Sequence, residues 1–514
     1  MRGVLPLPSL DLPEGELQQR FERLQERLVP LWKSIRALTD DEQTIVVLPS
    51  LTVDFPLEGS LLQAYEERFL FLLLLLRQPR ARLVYVTSQE VHPSLVDYYL
   101  GLLPGVITSH ARERLHVISP YDGSRESLTA KLLKRPSLMD RLGELIPNRE
   151  RAHLVPFITT ELERELALRL GVPIFGADPK HQHFGTKSGC RELFTECQVS
   201  HPLGFENLKT RDDVVRAIGE LKRQRPTCRA AMVKHDEGVS GAGNACVDLG
   251  DVVADDLSSI ESAIDAMVME DKNLSLEEFF AKLVAGGIVE ERVCGDEVRS
   301  PSAQLRVTPE GEVQLISTHD QLLAGPSGQK FAGCLFPADS QYATTIANES
   351  IRVGERLAAN NVLGRFAIDY VVVRRGDEWD TYAIELNLRK GGTTHPYLTL
   401  QFLTDGHYDG ETARFFAANG EEKCFVASDS VESDSYRVFT ADDIFDIAVR
   451  HGLHFDQTRQ KGVVFHMLTS LGDYGRLGLT AVGETHAEAD SLYRRTLAVL
   501  DEEAALALQP RPLP

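Results

Sequence analysis

Arg365-Phe-Ala-Ile-Asp369-Tyr-Val-Val-Val373, a turn, and Tyr382-Ala-Ile-Glu385-Leu-Asn387-Leu-Arg389 form the stretch on which the reading of this chain turns. Both halves are β-branched and apolar, and a Gly-Asp pair at 376–377 separates them, which predicts two antiparallel strands. Glu385 and Asn387 stand two residues apart and so project from one face. Asp369 interrupts an otherwise apolar neighbouring strand. Acidic groups on a core-facing surface cost several kcal/mol unless paired or metal-bound. Two carboxylates and an amide oxygen are hard donors that would suit Mg²⁺ holding phosphate oxygens. The competing reading is a salt-bridge cluster with Arg365 or Arg389.

Three further segments upstream fit the same ligand. In Met232-Val-Lys234-His-Asp-Glu-Gly238-Val-Ser240-Gly241-Ala-Gly243-Asn244 a lysine ends a strand and a glycine-rich turn follows. The ammonium can pair with phosphate oxygens while closely approaching backbone N–H groups cradle the rest. The stretch lacks the G-x-x-x-x-G-K-[ST] pattern of a P-loop, and a glycine hairpin beside a surface lysine is the plainer alternative. Ile288-Val-Glu290-Glu-Arg-Val293-Cys-Gly295-Asp-Glu297 is an apolar strand that becomes charged. Glu290 would accept from an adenine amino group and Glu297 from ribose hydroxyls; otherwise this is an amphipathic edge strand. Asp178-Pro-Lys-His-Gln-His-Phe-Gly-Thr-Lys187 puts Lys187 at a helix start, where it opposes the dipole unless an anion is near. A solvated lysine is the alternative, and His181 and His183 read as turn or core residues.

The remainder of the chain sets the frame. Its 514 residues allow two to four domains, and 43% hydrophobic with 25% charged residues is an ordinary globular composition. A formal charge of −21 disfavours nucleic acid as a partner. Seven widely spaced cysteines without C-x-x-C suggest reduced thiols and a cytoplasmic location. The start has no long apolar segment of a signal peptide, and the longest apolar run, 69–76, is too short for a membrane span of about 20 residues. After a helical lead-in over 1–39, strands alternate with helices over 40–176, which predicts a parallel α/β domain. Residues 177–406 read as antiparallel α+β, 407–439 as an irregular linker around Ser428-Asp-Ser-Val-Glu-Ser-Asp-Ser435, and 440–505 as a small α+β domain.

The order of these elements resembles the ATP-grasp superfamily: a lysine before a helix, a strand lysine with glycine loop, E-x-x-V-x-G-x-E, then D…E-x-N. The resemblance implies Lys187 and Lys234 on the phosphates of ATP, with Ser240, Gly241 and Gly243 in a phosphate loop. It implies Glu290 and the Val293 backbone at adenine, Glu297 at ribose, and Asp369, Glu385 and Asn387 on two Mg²⁺ ions. Ser302-Ala-Gln, Ser317-Thr-His-Asp-Gln321, Glu385-Leu-Asn-Leu-Arg-Lys-Gly-Gly-Thr-Thr-His-Pro396 and Val464-Phe-His-Met-Leu-Thr-Ser-Leu471 look more narrowly like the pheganomycin-type peptide ligases. That family has a pre-ATP-grasp α/β domain, a two-lobed ATP-grasp fold and a small C-terminal domain.

The implied reaction is ATP-dependent ligation of a small carboxylate to the amine of an amino acid or peptide through an acyl phosphate. Lys234 and Arg389 would act on the reacting groups, and Gln321, Thr393, Thr394 and His395 are candidates for substrate contact. The plainer reading of the Thr-Thr-His stretch is a hydrogen-bonded turn. Arg365 precedes Asp369 by four residues, and a Pro-Gly turn after E-x-N is missing; both depart from D-alanine-ligase-like relatives. An ATP-grasp kinase of a hydroxyl substrate and a non-catalytic ATP-binding regulatory protein are the alternatives, and a homodimer is the expected assembly.

Overall fold

The computed structural model describes residues 12–36, 42–52, 57–238, 243–324 and 330–509. Near-continuous apolar runs form the four strands Gln43–Leu48, Ala81–Val86, Leu115–Ile118 and Ala152–Pro156, paired in parallel with the first at the centre beside the second and fourth. Helices cover them, so residues on both faces are apolar, as expected for a parallel sheet. The run 69–76 lies in a 3₁₀ segment, Arg68–Arg77, and its leucines and phenylalanines are buried except for the half-buried Leu75. They pack in one core with Phe336, Phe425, Phe465 and Leu479, far along the chain. Among the described residues no helix is long and apolar enough to cross a membrane.

A second, five-stranded antiparallel sheet orders Gly204–Phe205, Gly287–Glu291, Ala230–His235, Asn244–Asp248 and Val268–Met269. The helices that cover it begin at reciprocal caps, Thr210 with Asp213 and Ser275 with Glu278, which satisfy backbone donors at each helix start. The third sheet has nine strands. Gly364–Arg375 pairs with Glu378–Asn387, with Glu297–Arg299 and with Pro301–Val307; Val313–Ala324, Lys330–Phe336, Cys424–Glu432, Arg476–Gly483 and Gly462–His466 then follow in order.

The expectation of an irregular segment over 407–439 is corrected here. Cys424–Glu432 is a nine-residue, mostly buried strand, preceded by the hairpin His407–Asp409 with Arg414–Phe416. It joins Gly333–Phe336 to the C-terminal strands, so the sheet runs unbroken across the expected boundary at 440. Polarity misled the reading, because the polar side chains here are buried and satisfied. Ser428 Oγ donates to the Ala332 carbonyl at 2.8 Å, and Asp429 meets Arg68 at 2.6 Å and His466 at 2.8 Å. A central strand needs backbone partners on both edges; its side chains need be apolar only where they lack partners.

Glu67 fastens the two ends of the chain together. Its carboxylate accepts from Leu468 N and Thr469 N, both at 2.9 Å, and from Thr469 Oγ1 at 2.6 Å. Glu67→Ala leaves two buried amides without acceptors, at a cost of roughly 1–3 kcal/mol for each unsatisfied group. A fall in the denaturation midpoint is expected; an unchanged midpoint in urea titration of the full chain would show that the clamp does not hold the fold.

Candidate active site

The antiparallel register puts Ser302, Asp369 and Glu385 directly opposite one another on three adjacent strands. Period-two alternation adds Asn387 to the same face as Glu385. Asp369 accepts from Gln321 Nε2 at 2.6 Å and from Asn387 Nδ2 at 3.0 Å, and Ser302 also bonds it. Those partners are neutral. Burial, followed by the neighbouring Glu385, accordingly pushes the Asp369 carboxyl up to about 6. Burial would raise Glu385 as well, but Lys187, whose Nζ lies 2.7 Å from Glu385 Oε2, outweighs it and holds the group below the usual carboxylate range.

Lys187 is buried at the first position of the helix Lys187–Glu196, where Thr186 caps by accepting from Gly189 N. One turn later the same helix delivers Arg191, a residue the sequence reading passed over. Arg191 Nη1 and Lys234 Nζ hold the two oxygens of Glu290 at 2.9 and 2.6 Å. Lys234 and Glu290 are diagonal neighbours on paired strands, since Met232 faces Glu290 and Lys234 faces Ile288. Burial opposes the Glu290 charge, and the two cations override it.

Most of these groups, though not the buried Lys187 and Arg191, line one cavity of about 420 Å³. Lys234, Glu290 and Val293 line its wall with Asp369, Glu385, Asn387, Arg389, Gln321 and Thr393. Glu385, Asn387 and Arg389 also line a second cavity, of about 870 Å³, into which Gly238 and Gly243 open from the glycine-rich loop. The acidic strand therefore stands at the junction of the two spaces. Gly243 has φ of +89°, and a Cβ there would meet His235 Nδ1 at 2.8 Å, so the turn requires glycine. Ser240 and Gly241 lie outside the described residues.

Several expected roles need correction. Glu297 does not line the cavity: its neighbours Val298 and Ser300 do, while alternation turns Glu297 to Arg299 at 2.7 Å and Arg374 at 3.3 Å. Glu290 lines the cavity with one cation on each oxygen, so an adenine contact there would share an oxygen that already accepts from Arg191 or Lys234. Thr394 Oγ1 accepts from Gly391 N at 3.0 Å and closes a turn. His395 is buried behind the wall, 3.0 Å from His466 Nε2 and 3.2 Å from Asp429. Between the two arginines, only Arg389 lines the cavity; Arg365 is pushed down to about 9 by burial and by Arg306, to which it stands opposite in the sheet. No spacing in the sequence signals Arg191, Arg68 or Arg476.

Comparison with known proteins follows the same divisions. A pre-ATP-grasp domain model matches residues 75–172, an IQCH-like ATP-grasp model matches 179–282 and 253–411, and a PGM1 C-terminal domain model matches 443–496. Two solved structures share the fold: an ADP complex of N5-carboxyaminoimidazole ribonucleotide synthetase (TM-score 0.52, 10% identity, 90% of this chain and 98% of that one) and a biotin carboxylase complex from Campylobacter jejuni (TM-score 0.54, 11% identity, 92% and 96%). The chain thus matches pre-ATP-grasp and ATP-grasp models in succession and has the ATP-grasp fold. The order of matched models is pre-ATP-grasp, ATP-grasp and PGM1 C-terminal domain. A similar curated protein is the L-propargylglycine–L-glutamate ligase of Streptantibioticus cattleyicolor, 29% identical over 84% of this chain and 89% of that protein. IQ motif-containing protein H of Danio rerio is 22% identical over 94% of this chain, which spans half of that longer protein.

Lys234→Ala is expected to weaken Mg-ADP binding at least tenfold by calorimetry, because it removes a cavity-lining cation and leaves Glu290 buried with Arg191 alone. Glu297→Ala should change the affinity less than twofold. A large loss on Glu297→Ala would place that side chain on the nucleotide after all.

Proposed function

We propose that the chain is an ATP-dependent carboxylate–amine ligase that forms an amide through an acyl phosphate. One observation carries this reading: Arg389 lines the cavity two residues beyond Asn387, beside the carboxylates and at the mouth of the second space. A cation placed there can hold a substrate carboxylate in line with a terminal phosphate and then stabilise the oxyanion of the tetrahedral intermediate. The likeness to a carbon–nitrogen ligase over most of both chains supports the same choice.

Asp369, Glu385 and the amide oxygen of Asn387 would hold magnesium. They fit it: the donors are hard oxygens on one face, and Asp369 is hydrogen-bonded only to neutral groups. When bound, the ion supplies charge neutralisation at the phosphates. Lys234, on the cavity wall, and Lys187, which lines neither cavity and is bonded to Glu385, would turn their ammonium groups to phosphate oxygens. Gln321 keeps Asp369 in place by its 2.6 Å hydrogen bond, and Thr393 offers a hydroxyl to the acid substrate.

In the first step the substrate carboxylate oxygen attacks the γ-phosphorus and ADP leaves. In the second the amine nitrogen attacks the acyl carbon, phosphate leaves and the nitrogen sheds its proton. No covalent enzyme intermediate is required, since positioning and electrostatics supply the rate. Small carboxylates and amino acids or short peptides are the proposed substrates, and a pairwise screen for phosphate release with detection of the amide tests this. Phosphate transfer to a hydroxyl without any amine would identify a kinase instead. With an active pair, Arg389→Met should lower kcat by about 10²–10³, the range for a lost oxyanion donor, while KM for ATP stays within about twofold. A kcat within tenfold of wild type would remove Arg389 from the chemistry.

A further inference from the structure

One wall of the cavity lies away from the nucleotide-side residues and is built from two distant parts of the chain. Arg68 begins the buried 3₁₀ segment directly after Glu66 and Glu67, and both carboxylates are fixed: Glu66 by Ser88 and Thr87, Glu67 by Leu468 and Thr469. Arg476 begins the strand Arg476–Gly483, after Gly475 at φ of +59°, where a Cβ would strike the Ser433 carbonyl at 2.0 Å. Both guanidinium groups line the cavity with Tyr65, Asp429 and Ser430. Tyr65 lies between them, its ring centre 4.3 Å from Arg68 and 5.9 Å from Arg476.

The charges do not balance there. Asp429 is the carboxylate of this wall, and it is bonded to Arg68 Nη1 at 2.6 Å. His395 beside it is pushed down to about 4 by burial and stays neutral. Arg476 donates Nε to the Asp429 backbone carbonyl at 2.8 Å and Nη2 to Ser430 Oγ at 3.1 Å, and among the described residues no carboxylate pairs with it. Among the described residues Arg68 Nε is buried and has no hydrogen-bond acceptor. A guanidinium keeps its proton, so an anion entering the cavity can take up these donors. Arg389 lines the same cavity and is itself a cation, acted on by the opposite charges of Glu385 and Asp369 and the like charge of Arg68, so it does not supply the anion.

We propose that Arg68 and Arg476 form the subsite for a free carboxylate on the amine substrate, so that the acceptor is an amino acid or peptide recognised by its acid group and not a simple amine. This deepens the ligase reading and rests on it. The acid substrate loses its carboxylate charge when activated beside Arg389, whereas the acceptor keeps its own throughout the reaction. A second cationic wall farther along the same cavity answers that second charge. The two arginines come from opposite ends of the chain, so the subsite exists only when the first and last domains are docked.

The test uses the full chain saturated with Mg-ADP, titrated in a calorimeter with L-glutamate, L-alanine and glycylglycine and with the carboxamide of each. At least one free acid should bind ten times more tightly than its carboxamide. Arg476→Gln should erase that preference while leaving Mg-ADP affinity unchanged. Arg68→Lys keeps a cation for Asp429 and loses the fork; it should reduce the preference and still bind Mg-ADP, which reports a folded chain. Acids bound no better than carboxamides by the unaltered chain, including no binding of either, would overturn the proposal, as would an Arg476→Gln chain that keeps the preference. Failure of the ligase reading is separate: it would show as no amide product in the pairwise screen while the carboxylate preference persists.

Discussion

Two carboxylates facing each other across adjacent strands, Asp369 and Glu385, set the terms for the site. Buried like charges cannot both be ionised at neutral pH without cations nearby. The fold provides Lys187, carried in on a helix start and paired with Glu385, and Arg389, whose charge acts on both carboxylates. Asp369 accepts its hydrogen bonds from amide and hydroxyl groups, and burial with the neighbouring Glu385 raises its carboxyl despite Arg389. The carboxylates stand where the two cavities meet, with hard oxygens on one face, which is what suits them to the divalent-ion role proposed above.

The same accounting repeats around the cavity. Around Glu290 the charges balance: Lys234 and Arg191 hold its two oxygens and Arg191 also meets Glu206 at 2.6 Å, so Lys234, which lines the cavity, can turn to a ligand while Arg191 keeps Glu290 paired. At the far wall Arg68 and Arg476 exceed Asp429 by one positive charge.

The C-terminal strands are part of this, not an appendage. Cys424–Glu432 extends the sheet that carries Asp369 and brings Asp429 and Ser430 to the cavity, while Glu67 pins Leu468 and Thr469 to the first domain. Buried polar contacts of this kind stabilise a docking only when fully satisfied, and here Glu67 uses both oxygens.

By itself the sequence determined the α/β first domain, because runs such as Thr44-Ile-Val-Val-Leu48 are apolar on both faces and leave a parallel sheet as the natural arrangement. It also determined that Glu385, Asn387 and Asp369 belong together, since period-two projection and a hairpin suffice to predict it. Only the tertiary structure decided which charged side chains point into the cavity. Glu297 lies off the cavity wall because one residue of strand register separates an inward from an outward group, and the pattern around it does not fix that register. The polar strand at 424–432 failed because its partners, Arg68, His395 and His466, lie hundreds or tens of residues away and are invisible to any local pattern. Arg68 and Arg476 acquire meaning only as neighbours, and proximity between residues some four hundred positions apart is a property of the folded chain alone.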